Sequence, residues 1–144
     1  MAQRTITECP AFEATEDVFM DPRVFQYFCE LTHARPSVDL FGSDCNHQLE
    51  AYYTPYKDDT GAVGVNAFDF YWHPKIIFYA NPPWTLIERV LEKIIEDKAT
   101  VVLVTPRWTK APWWSQIIEM KVTQIIWTGP LYLDADLRVR PKPH

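Results

Sequence analysis

Apolar positions along this chain recur at two periods, and the switches between them predict the order of its elements. Val24, Phe25, Phe28 and Leu31 recur at helical spacing, which predicts a helix packed on an apolar surface. Asp21 precedes them as a capping residue, and Pro22 takes the first helical position, where a missing N–H costs nothing. Pro36 closes the helix, because the residue before a proline avoids helical geometry. Ser37-Val38-Asp39-Leu40-Phe41 reads as a short buried strand, and Gly42-Ser43-Asp44 as the turn after it. A second extended piece is expected over residues 49–54. Residues 57–64 form a polar loop carrying Asp58, Asp59, Gly61 and Gly64.

Residues 75–80 are an apolar run of strand type, halted by Asn81-Pro82-Pro83-Trp84. A helix follows directly. Leu86, Ile87, Val90, Leu91, Ile94 and Ile95 define one wide apolar face, and Glu92, Lys93, Glu96, Asp97 and Lys98 fall mainly on the other. Thr85 and Glu88 have the spacing of a capping box. Val101-Val102-Leu103-Val104-Thr105 is the clearest strand, and its continuous apolar run predicts burial on both faces, as in a parallel sheet. Residues 75–105 therefore read as a right-handed strand–helix–strand crossover. Another helix is expected over 111–120, with Trp113, Trp114, Ile117 and Ile118 at helical intervals. Residues 122–127 and 131–133 read as further strands at an antiparallel edge.

The expected fold is a three-layer α/β domain over residues 20–144 with a mostly parallel sheet, preceded by an irregular arm over 1–19. Ligands in such sheets gather beyond the carboxyl ends of the strands, which selects residues 41–46, 81–84 and 105–108. At 144 residues the chain fits one domain, and 47% hydrophobic with 23% charged residues is the balance of a folded protein. The formal charge of −5 requires any nucleic-acid contact to use a local basic face, a fused domain or a partner. Arg107, Lys110, Arg138, Arg140 and Lys142 are the candidates for such a face. Three widely spaced cysteines, Cys9, Cys29 and Cys45, predict a reducing, intracellular setting and no disulfide scaffold. His33, Cys45, His47 and His73 lack the paired spacing of a zinc site, so no metal is expected. No apolar run has the length of a membrane span.

Asn81-Pro82-Pro83-Trp84 carries the most specific chemistry. An exocyclic adenine amine is a poor nucleophile because its lone pair is delocalised into the ring. A site that accepts hydrogen bonds from both amine protons localises that lone pair. The Asn81 side-chain oxygen is one such acceptor and the Pro82 carbonyl the other, with Pro82 and Pro83 restricting the turn that holds them. Trp84 offers a flat face to a base flipped from its stack.

The chain resembles the phage-type DNA N-6-adenine methyltransferases and the methyltransferase-like domain of DIRS-type retrotransposon polyproteins, from about Asp21 onward. The resemblance is carried by Asp21-Pro22-Arg23-Val24-Phe25, by Val38-Asp39-Leu40-Phe41-Gly42-Ser43 with Asn46, and by Tyr53-Thr54, Phe68 and Trp72. It continues through Asn81-Pro82-Pro83-Trp84, Leu103-Val104-Thr105-Pro106-Arg107-Trp108, Trp113-Trp114 and Gly129-Pro130-Leu131. It implies a Rossmann-like methyltransferase domain that uses S-adenosylmethionine to methylate adenine in DNA. Asp39, Phe41, Gly42, Ser43 and Asn46 would hold the cofactor. Asn81, Pro82, Pro83 and Trp84 would be catalytic. Arg107, Trp108, Lys110 and Trp113 would contact the substrate. Where the family commonly carries Asp before its spacer, this chain has Asn66-Ala67-Phe68, with Asp69 as the nearby carboxylate.

Two functions follow as expectations. The first is methyl transfer to adenine in DNA, single-stranded or presented by a fused or associated domain. The second is a catalytically inactive methyltransferase-like domain serving as a structural or interaction subunit of a larger assembly. The acidic charge and Asn66 speak for the second.

Overall fold

The computed structural model describes residues 19–120, together with the backbone of 132–133 and 139–140. Residues 1–18 of the arm expected over 1–19, the strand over 122–127, the turn at Gly129-Pro130-Leu131 and the side chains of Arg138, Arg140 and Lys142 lie outside the described residues.

A short strand β1 (Phe19–Met20) leads into α1 (Pro22–Thr32). The helix starts as its sequence predicts, with Pro22 in its first turn and the Asp21 carboxylate accepting the Arg23 N–H at 2.9 Å. It ends at His33, whose left-handed φ of 54° directs its N–H back to the carbonyls of Cys29 and Glu30. There follow β2 (Val38–Asp39), β3 (Ala51–Thr54), β4 (Gly64–Val65) and a 3-10 turn at Ala67–Asp69. Then come β5 (Ile77–Ala80), a second 3-10 turn at Trp84–Leu86, α2 (Ile87–Asp97), β6 (Thr100–Leu103) and α3 (Trp114–Glu119).

Five of these strands form one sheet in the order β4-β3-β2-β5-β6, and every pairing in it is parallel. Counted from β2, the spatial order is third, second, first, fourth, fifth, the arrangement of a Rossmann-like α/β fold. The order reverses between β2 and β5. Two further strands, β7 (Tyr132–Leu133) and β8 (Val139–Arg140), join β1 in a separate antiparallel sheet of order β1-β7-β8. The antiparallel pairing expected at 131–133 is thus present, but apart from the parallel sheet.

Strand alternation sorts the core. Phe78 and Ala80 of β5 pack with Val90 of α2, and Val101 and Leu103 of β6 join them. Tyr79 between them packs with Val24 of α1, as do Val102 and Val104. Phe25 and Tyr79 meet edge to face, with ring centroids 4.6 Å apart.

Several boundaries differ from the sequence reading for identifiable reasons. The capping box at Thr85 and Glu88 does not form. Leu86 N–H bonds to the Pro83 carbonyl at 2.9 Å, so Thr85 lies inside a 3-10 turn and the cap falls on Leu86, without a side-chain hydrogen bond. Gly64 belongs to a strand, not to the end of the polar loop. Ile95, placed on the apolar face, is 60% exposed, while Asp97, placed on the polar face, is buried. Asp97 accepts the Trp72 N–H at 2.9 Å and pairs with Lys93 at 2.7 Å. Burial raises its pKa, but the Lys93 hydrogen bond, the Trp72 N–H and the Lys93 charge outweigh that and hold it below the ordinary range. Cys45 is disulfide-bonded and Cys29 is a free thiol, so the cysteines are not all reduced. Among the described residues no helix is long and apolar enough to cross a membrane.

Candidate functional site

β2 and β5 are hydrogen-bonded neighbours, with Asp39 opposite Tyr79. Their carboxyl ends open where the strand order reverses, the position at which open α/β sheets form ligand crevices. A cleft lies there, lined by Met20, Asp39, Phe41, Asn46, Gln48, Tyr79 and Asn81. Three of the expected cofactor residues, Asp39, Phe41 and Asn46, therefore meet the expected catalytic Asn81. They come from segments some forty residues apart, brought together by the β2–β5 pairing. Met20, Gln48 and Tyr79 complete the lining and were not among the sequence candidates. Tyr79 carries a usable signal: two residues before Asn81, it points to the same side of an extended strand. Met20 and Gln48 arrive through long-range contacts that no local pattern carries.

Asp39 is buried at the end of β2, and both carboxylate oxygens are engaged. One accepts the Phe41 N–H at 3.1 Å, the other the Gln48 N–H at 2.9 Å. Asp39 therefore makes the turn that ends β2, and it fixes both ends of the loop over residues 40–48. A carboxylate has about four lone-pair sites, so two accepted bonds leave acceptor capacity toward the cleft. Burial pushes the Asp39 carboxyl up to about 6, against the pull of the Gln48 and Phe41 N–H groups and the His47 charge. An unfolded chain loses this proton near 3.8, so between 3.8 and about 6 the folded protein holds a proton that the unfolded one has released. Through this group, stability is highest below that window and falls as pH rises through it. Thermal midpoints measured across the window should show that decline, and Asp39→Asn should flatten it.

The rest of the loop is tightly packed. Ser43 and Asn46 exchange backbone hydrogen bonds at 2.9 and 3.1 Å, and Gly42 N–H donates to the Tyr53 carbonyl at 2.8 Å. Gly42 and Ser43 shape the loop without lining the cleft. A Cβ on Gly42 would stand 2.9 Å from the Tyr52 Cβ and 3.0 Å from the His47 Cβ. Those two rings stack at 4.4 Å, so neither yields alone. Gly42→Ala is expected to cost about 1–3 kcal/mol, the range for overpacking a close-packed site, read by urea denaturation.

The expected catalytic tetrapeptide divides. Asn81 reaches the cleft, Pro82 is buried, Pro83 is exposed, and Trp84 turns toward a tryptophan cluster. Trp84 meets Trp108 edge to face at 4.6 Å, and Trp108 lies 6.5 Å from Trp113. Trp113 is buried with Ile87 and Leu91 of α2, which makes it a core residue more than a contact surface. Arg107 and Lys110 are exposed in the segment after β6. Asp69 is exposed and does not line the cleft, so it does not supply a carboxylate there. Among the described residues no basic side chain lines the cleft.

No family model, curated protein or solved structure matches the chain.

Proposed function

We propose that this chain is a methyltransferase domain that uses S-adenosylmethionine to methylate the exocyclic amine of adenine in DNA. The observation that carries the reading is the meeting of Asp39 and Asn81 in one cleft at the switch point of a parallel sheet. The donor set suits the cofactor. Asp39 offers a carboxylate to an amino group or ribose hydroxyls, and Asn46 offers an amide beside it. The bound cofactor would supply an activated methyl group. Asn81 and the Pro82 carbonyl would orient the amine, and Trp84 would supply an aromatic surface next to them. Arg107 and Lys110 would contact the phosphates.

Calorimetric titration of S-adenosylmethionine into the protein, with Asp39→Ala as the control, tests the reading. Saturable binding that disappears in the variant is the expected result. No heat at millimolar cofactor would sink it. A second reading, the inactive interaction subunit, draws on one observation: the cleft is small for a ligand site, about 30 Å³. Turnover by the isolated chain would exclude that alternative.

A further inference from the structure

An adenosyl ligand needs a pocket of several hundred Å³, far more than the cleft encloses, so some lining group must move for it to enter. Most of the lining is held more than once. Asp39 is bound by two backbone N–H groups, and Phe41 packs into the core and against Phe68 at 5.7 Å. Tyr79 is buried against Phe25 and donates its hydroxyl to the Met20 Sδ at 2.8 Å. Asn46 is fixed by its backbone pairing with Ser43.

Gln48 differs. Its backbone N–H anchors on Asp39, while its side-chain Nε2 donates to the Met20 carbonyl at 2.9 Å. Both ends of that bond line the cleft, yet they lie twenty-eight residues apart in the chain. The side chain thus joins the loop after β2 to β1 by one neutral hydrogen bond in a half-buried position. Water can replace such a bond at little cost.

We infer that the Gln48 side chain is a latch that closes the cleft against the Met20 carbonyl and swings away to admit a ligand. The ligand half of this inference rests on the proposed cofactor reading; the opening half does not. When the latch opens, the Met20 carbonyl becomes an acceptor inside the cleft, suited to an ammonium or hydroxyl group.

Gln48→Leu keeps the bulk and removes the donor. Amide hydrogen exchange on the whole protein reads the opening without any ligand. The Phe41 and Gln48 amides, both bonded to Asp39, should exchange about tenfold faster in the variant, the effect of losing one such bond. The amides of α2 should keep their rates. Uniform acceleration, or no change at residues 41 and 48, overturns the latch. With S-adenosylmethionine as probe, stopped-flow association should be about tenfold faster in Gln48→Leu. Weaker binding with an unchanged association rate would make Gln48 a ligand contact and overturn the latch. If neither protein binds the probe, the cofactor reading fails, and the exchange rates alone decide the latch.

Discussion

Asn81→Ala should lower the rate of adenine methylation at least a hundredfold while leaving S-adenosylmethionine affinity and thermal stability nearly unchanged. The separation of those readouts follows from where the residue stands. Asn81 lies one position beyond β5, half-buried, and is absent from the apolar clusters that hold the sheet. Its proposed task is to accept a hydrogen bond from the amine as the ring's delocalisation is withdrawn, an interaction that strengthens only as the nitrogen attacks. Removing one pre-positioned polar group of that kind costs about 10²–10³ in turnover in other enzymes. Asn81→Asp keeps an oxygen acceptor in the same place and should retain measurable turnover. Loss in the alanine variant with retention in the aspartate variant assigns the effect to the acceptor. Normal methylation by Asn81→Ala would remove Asn81 from the mechanism.

The framework of this site was legible before any coordinates, because local chemistry dictates it. Asp21 and Pro22 start α1, the apolar stripe from Leu86 to Ile94 marks α2, and the apolar runs ending at Ala80 and Leu103 become adjacent parallel strands. From strand ends and sheet type, the end of the sheet where the cleft lies followed without further information, and Asp39 and Asn81 do meet there. What local reading missed depends on contacts between distant segments. Asp97 reads as a surface charge on a helical wheel, yet the Trp72 N–H and Lys93 draw it into the core. Trp84 meets Trp108, contributed by a segment beyond the next strand, a contact that no local pattern carries. Gln48 has no motif at all; only the return of β1 across the cleft gives it a partner. The same limit explains the short strands. The strand is Val38–Asp39 where five residues had strand character, with the Ser37 and Leu40 N–H groups still bonded to β5, because Asp39 turns the chain by binding the N–H of Phe41.

Trp72→Ala is expected to leave little or no folded protein at 37 °C. Trp72 is fully buried, and it sits where three parts of the domain meet. Its ring lies 6.1 Å from Phe78 of β5 and 5.9 Å from Phe68 of the first 3-10 turn, with the Lys93 ammonium of α2 at 5.8 Å. The indole N–H donates to the Ala67 carbonyl at 2.9 Å, closing the segment that brings the chain from β4 to β5. Truncation to Ala removes that packing and one of the two hydrogen bonds to the carbonyl, which keeps the Phe70 N–H at 3.2 Å. Losses of about 3–5 kcal/mol are usual for a buried Trp or Phe cut to Ala, and one lost hydrogen bond adds about 0.5–1.5 kcal/mol. Set against a typical domain stability of about 5–15 kcal/mol, that sum removes most or all of the folding free energy. Trp72→Phe separates the two contributions. It keeps most of the packing, loses the indole donor, and should fold with a stability lower by about 0.5–1.5 kcal/mol. The backbone bond from Trp72 N–H to Asp97 survives both substitutions, so neither variant acts by unpairing that carboxylate. Urea denaturation of the three proteins checks the ordering. Near-native stability of Trp72→Ala would mean that the segment between β4 and β5 packs independently of its tryptophan, and that the core rests on α1 and α2 alone.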